Sequence, residues 1–159
     1  MAKVTLICGK LCSGKSTYAE RLRAETGAVL LSIDEIMLGL FGLYAGDRHD
    51  EYAEKTKKYL YDKSIELLAA GVDVILDWGF WKRNERAAAK AFYAARNIPC
   101  EFHYLDVNEE VWKKRIEKRN RAVAAGSVIA YPVDENLAAK FASRFEAPDK
   151  REIDVWITE

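Results

Sequence analysis

The chain has 159 residues, 50% of them hydrophobic and 31% charged. The expectation is one ordinary globular domain, residues 1–159, with a continuous core; no second domain fits comfortably. Lys plus Arg and Asp plus Glu both number 25, so no net field draws the chain to nucleic acid or an anionic membrane, although a local basic patch stays open. The 3 cysteines, Cys8, Cys12 and Cys100, show no Cys-x-x-Cys or Cys/His metal spacing, which argues against a disulfide framework and a zinc site. The chain enters its first expected strand without a charged-then-apolar leader, and no apolar run spans a bilayer, so the expected location is cytoplasmic, with no membrane partner.

Residues 3–8 (Lys-Val-Thr-Leu-Ile-Cys) form a short apolar, β-branched run suited to a buried parallel strand, and residues 16–24 read as a helix with Tyr18 and Leu22 on one face. Between them lies Gly9-Lys10-Leu11-Cys12-Ser13-Gly14-Lys15-Ser16, followed by Thr17. This is G-x-x-x-x-G-K-S, the phosphate-binding loop known as Walker A. Its glycines let the backbone curl so that consecutive N–H groups converge on an anion. Lys15 reaches the outer phosphates, Ser16 offers a hydroxyl to Mg²⁺, and the following helix aims its positive dipole end at the same phosphate.

Further along, Thr26-Gly27 is a helix stop and residues 28–32 a second strand. Residues 34–42 suggest a short helix, 43–50 a loop, and 51–70 a long helix closed by Gly71. Residues 72–77 are a third strand, 84–97 an Ala-rich helix, and 101–107 a fourth strand. Asn108 caps a helix carrying Glu109 and Glu110 in its first turn, with Trp112 and Ile116 on its buried face. Residues 122–133 are loose, a last helix starts near Asp134, and residues 153–157 close the sheet. Such alternation predicts a parallel sheet covered on both faces.

Three constellations carry chemistry beyond the loop. The strand over residues 72–77 ends in Asp77, the place for a carboxylate holding the Mg²⁺ shell; the alternative is an Asp capping the next turn. Ser32-Ile33-Asp34-Glu35 follows the second strand, where ligands of open α/β sheets bind. There Asp34 can orient an attacking hydroxyl and accept its proton, or instead cap the helix. Arg115 and Arg119, one turn apart beside the loose segment, can close over a triphosphate; the plain alternative is a solvated face paired with Glu109, Glu110 and Glu117. Trp78 and Trp81 suit stacking on a ring or sugar face, or belong to the core. Arg86 suits an anionic part of the substrate or covers a helix start. Residues 43–50, with Tyr44, Arg48 and His49, are placed as the far wall of the acceptor pocket, whereas His103, inside a strand, is structural.

Together the phosphate loop, the strand-Asp-Glu-helix segment, the strand ending in Asp before Gly-Phe-Trp and an Arg, and the later R-x-x-x-R helix resemble the P-loop kinases that include chloramphenicol phosphotransferase, zeta toxin and the kinase domain of polynucleotide kinase. The resemblance implies a three-layer α/β/α fold with a five-stranded parallel sheet and a small helical lid over about residues 115–133. It implies ATP and Mg²⁺ as cofactors, Asp34 as the base, Arg115 and Arg119 as lid residues, and an adenine contact near Phe145-Glu146-Ala147-Pro148. The expected activity is transfer of the γ-phosphoryl of ATP to a small-molecule hydroxyl. Polynucleotide kinases place an Arg shortly after the base, whereas Ile36, Met37 and Leu38 stand here, which disfavours a nucleic-acid acceptor. A polynucleotide 5′-hydroxyl kinase and an ATP-binding switch with little transfer are the alternatives.

Overall fold

Each strand but the last is followed by a helix long enough to cross back over the sheet, so the strands line up in parallel. The computed structural model describes residues 1–130 and 132–158; residue 131 of the expected lid and residue 159 of the expected domain lie outside the described residues. In chain order the elements are β1 (Val4–Cys8), α1 (Lys15–Thr26), β2 (Val29–Ser32), α2 (Ile33–Phe41), α3 (His49–Ala69), β3 (Val74–Gly79), α4 (Arg83–Ala94), β4 (Cys100–Asp106), α5 (Glu109–Ala124), α6 (Glu135–Arg144) and β5 (Val155–Thr158). Short 3-10 turns occupy Gly46–Arg48 and Lys150–Glu152. The strands form one sheet in the order β2-β3-β1-β4-β5, with every neighbouring pair parallel.

The two sheet faces follow from the period of two along each strand. Val4, Leu6 and Cys8 join Val74, Leu76, Phe102 and Tyr104 in one buried cluster with Leu68 of α3 and Ala89 and Tyr93 of α4. Ile7, Ile75 and Leu105 pack instead with Ala19 of α1 and with Ala28. The result is the expected three-layer arrangement. Burial of Cys8 and Cys100 pushes both thiols up to about 12, as befits small core residues rather than reactive ones.

Several element boundaries differ from expectation. The third strand runs beyond Asp77 to Gly79, and its register with β1 skips a residue, so that Ile7 pairs with Asp77 but Cys8 with Gly79. This irregularity leaves Trp78 without a partner in the ladder. The long helix begins at His49 rather than Glu51, directly after a 3-10 turn. Residues 122–124, expected to be loose, continue α5 up to the left-handed Gly126 (φ 72°). The last strand starts at Val155 because Asp149 caps the preceding 3-10 turn, with Glu152 accepting from the Asp149 N–H at 2.7 Å.

His103 is buried in β4, with Nδ1 2.8 Å from the Tyr18 hydroxyl and Nε2 3.5 Å from a Glu101 carboxylate oxygen. Burial lowers its pKa from 6.5, with Lys3 acting the same way and Glu101 and Asp154 opposing. Between the folded and unfolded values the unfolded chain binds more protons, so stability rises with pH there and is lost on acidification. The melting temperature is therefore expected to climb from about pH 5 to about pH 7 more steeply in the wild type than in His103→Gln. Equal slopes for the two proteins would show that His103 is not linked to folding.

Candidate active site

The phosphate loop leaves the carboxyl end of β1 and enters α1, with left-handed backbone at two positions. Gly14 has φ 93° and Cys12, which is not a glycine, has φ 58°, a left-handed conformation that costs about 1–3 kcal/mol. Gly9 needs its missing side chain for a different reason: a Cβ there would meet Ser13 Oγ at 2.6 Å and the Leu105 carbonyl at 3.3 Å. Gly14 is the N-cap of α1 and has no side chain with which to accept from the first amides of that helix, which leaves them for an anion. Lys15 Nζ donates to the Lys10 carbonyl at 2.9 Å across the loop.

Two carboxylates act electrostatically on this lysine. Asp77 is 6% exposed and accepts from Ser16 Oγ at 3.1 Å. Burial pushes its pKa up, while the Lys15 ammonium and the Ser16 hydroxyl pull it down. Burial lowers the pKa of Lys15, and Asp77 and Asp34 oppose that shift by favouring its charge. Asp34 is exposed in the first turn of α2. It does not cap the helix: Ser32 is the N-cap and accepts from the Glu35 N–H at 3.3 Å. Since Ser32 pairs in register with Asp77 across β2 and β3, both acids lie at neighbouring strand ends.

Helix α5 lies against the loop along one stripe. Trp112 Nε1 donates to the Leu11 carbonyl, Arg115 Nη1 to the Ser13 carbonyl, and Arg119 Nη1 reaches Cys12 Sγ at 3.3 Å. Lys10 Nζ sits 4.4 Å above the Trp112 ring. By holding carbonyls outward, these contacts keep the loop amides turned toward an anion. The structure thus brings Arg115 and Arg119 to the loop. Trp112 was legible in the sequence only as a core residue, since nothing local says that its indole N–H meets a loop 101 positions away. Asn120 was not singled out either. Its amide clamps both the N–H and the carbonyl of Val133, each at 2.7 Å, fixing the far end of the segment that follows α5.

Two of the expected substrate contacts are engaged elsewhere. Arg86 is 1% exposed, and its guanidinium donates to Glu152 and to the carbonyls of Phe80, Trp81 and Glu146. This is a correction: at 1% exposed and turned onto protein acceptors, the guanidinium is closed off from a substrate. Trp81 donates its Nε1–H to the Gly9 carbonyl at 3.1 Å and meets Phe141 edge-on, so its indole braces the phosphate loop. Gly79 makes room for it, since a Cβ there would lie 2.5 Å from Trp81 Nε1. Trp78 is half-buried and packs with Ile33, Met37 and Leu60, next to the turn that carries Asp34. In the expected far wall, Tyr44 stacks on His49 and Arg48 forks onto Glu51 at 2.7 Å through two nitrogens. In the expected adenine segment, Phe145 packs on the core and Glu146 N–H donates to the Trp81 carbonyl at 2.8 Å.

A glycine loop between strand and helix, a lysine at the start of that helix and a serine bonded to a buried strand carboxylate define a P-loop nucleotide-binding domain. The chain belongs to the AAA domain family AAA_33, whose model matches residues 4–148. No curated protein matches it by sequence. Among solved structures it is similar to a sugar kinase from Janibacter sp. HTCC2649, with 22% identity and a TM-score of 0.65 over 99% of this chain and 86% of the other. It is also similar to the Mycobacterium tuberculosis APS kinase CysC in complex with AMPPNP and APS, with 21% identity and a TM-score of 0.64 over 99% of this chain and 88% of that one. Kti12 from Chaetomium thermophilum, in complex with ADP-AlF3, shares 17% identity and a TM-score of 0.72 over 98% of this chain and 88% of its own. At these identities the likeness is one of fold. No described helix is long and apolar enough to cross a membrane.

Proposed function

We propose that this protein is a kinase that transfers the γ-phosphoryl group of ATP to a hydroxyl of a small-molecule acceptor. The observation that carries this reading is the placement of Asp34 and Asp77 on neighbouring strand ends, both acting electrostatically on Lys15. The loop amides and Lys15 bind the β- and γ-phosphates. Asp34, exposed and not used as a helix cap, orients the acceptor hydroxyl and takes its proton. The acceptor oxygen bonds to the γ-phosphorus as the bond to the bridging oxygen breaks, and ADP leaves. Ser16 and Asp77, a hydroxyl and a carboxylate in contact, are the residues that would hold Mg²⁺. Few protein ligands suit an ion that keeps waters and phosphate oxygens. When bound, the ion supplies positive charge against the phosphate oxygens.

Arg115 and Arg119 supply further positive charge from α5, Arg119 exchanging its contact with Cys12 for the transferred group. Arg119→Ala is therefore expected to lower kcat by about 10- to 1,000-fold and to change ATP affinity by less than about threefold. Steady-state kinetics beside equilibrium binding of AMPPNP would check it, and an unchanged kcat would remove Arg119 from the mechanism. The reading as a whole is tested by incubating the protein with Mg-ATP and a panel of alcohols, sugars, nucleosides and oligonucleotides with free 5′ ends. Acceptor-stimulated ADP release with a phosphorylated product supports it. Tight ATP binding with no acceptor-dependent turnover across the panel overturns it in favour of a nucleotide-binding switch.

A further inference from the structure

Asp34 belongs to a stripe. On α2 the residues at i+4 and i+7 from Asp34 are Leu38 and Phe41, which share its face of the helix. Both are exposed, at 38% and 40%, and the chain continues into the exposed Leu43 and Tyr44. The core-facing side is separate: Ile33 and Met37 are buried with Leu60 of α3, and Trp78 packs beside them. Phe41 is not loose, because its ring stacks nearly parallel on Tyr52 of α3, with centroids 4.9 Å apart. An apolar track thus begins one helical turn from the proposed base.

Charge around the track gives a second, independent indication. No Lys or Arg occurs between Arg23 and Arg48, so β2, α2 and the turn after it contribute no cation. On α3 and the turn before it, Arg48 and Lys55 pair with Glu51, and Lys57 with Glu54 and Glu85. Meanwhile Asp34, Glu35, Asp47 and Asp50 are all exposed in the same region. An anionic body lying along Leu38 and Phe41 would meet these carboxylates, and α2 and the turn after it offer it no cation, an arrangement that disfavours its binding.

We propose that the acceptor is an uncharged hydroxyl compound with an apolar body, its hydroxyl at Asp34 and its body along Leu38 and Phe41. This rests on the kinase reading for the role of Asp34 alone. Continuity of the track with Asp34 favours a small substrate over a second copy of the chain as its occupant. The inference separates this protein from an enzyme for sugar acids or nucleic-acid ends.

The test uses the full chain loaded with AMPPNP. Saturation-transfer NMR would measure binding of phenylethanol and a phenyl-substituted diol against glycerol and gluconate, with Phe41→Ser and Leu38→Asn as variants whose folding is verified by circular dichroism. The expected result is binding of the aryl alcohols only, weakened about tenfold or more in either folded variant, with AMPPNP affinity unchanged. Equal or better binding of gluconate, no binding of the aryl alcohols, or indifference to both substitutions overturns the proposal. So does a concentration-dependent dimer in sedimentation that Leu38→Asn abolishes. Parallel incubation with Mg-ATP keeps the two readings distinct. Phe41-dependent binding without any phosphate ester leaves this inference standing and sinks the kinase reading, whereas ester formation on gluconate alone does the reverse.

Discussion

Asp34→Asn is expected to lower acceptor-dependent kcat by about 10²- to 10⁴-fold, the range for removing a general base. The substitution is close to isosteric, and the helix does not depend on the carboxylate, since Ser32 provides the cap. Loss of rate with an unchanged circular dichroism spectrum would therefore report chemistry rather than folding. A second effect has a definite sign. Asp34 is one of the two carboxylates that hold the Lys15 ammonium charged against burial. Removing it lowers the Lys15 pKa further, so the high-pH limit of ATP binding moves to lower pH. Single-turnover rates and AMPPNP titrations across pH would measure both quantities, and a variant keeping more than about a tenth of wild-type kcat would exclude Asp34 as the base.

Arg86→Ala is expected to destabilise the fold by about 3–5 kcal/mol, the cost of removing one partner of a buried ion pair. Arg86 is 1% exposed, its Nε lies 3.0 Å from Glu152, and its Nη1 ties together the carbonyls of Phe80, Trp81 and Glu146. Truncation strands these acceptors and the Glu152 carboxylate. It also frees the corner between β3 and α4 that seats Trp81 against the Gly9 carbonyl, so nucleotide affinity should fall along with stability. Arg86→Lys is expected to recover only part of the loss, because an ammonium cannot fork to two sides at once. Urea denaturation of the three proteins is the measurement; a loss below about 1 kcal/mol for Arg86→Ala would show that water replaces the network.

Arg86 and Trp81 also show where reading the sequence stops. Both follow a strand that ends in Asp77, and by local pattern both suit a substrate. The structure engages them with Glu152, Glu146 and Gly9, positions between 60 and 72 residues distant. Hydrogen-bond partners so far apart leave no periodic trace. Asp34 illustrates the opposite case: base and helix cap were equally open locally, and Ser32 two residues earlier took the cap.

The phosphate loop, the strand ahead of it, the helix after it and the alternation that makes a parallel sheet were all determined by the sequence. Each depends on contacts within a few residues: glycines where backbone must turn, apolar periods of 2 or 3.6, and caps beside the helices they close. Only the tertiary structure decided which side chains hold that loop. Trp112 and Arg115 reach its carbonyls from α5, and Trp81 reaches it from the end of β3. It also decided that Leu38 and Phe41 stay exposed beside Asp34 while Ile33 and Met37 are buried. A helix as apolar as α2 has several faces fit for burial, and the packing of α3 and Trp78 selects which of them is covered.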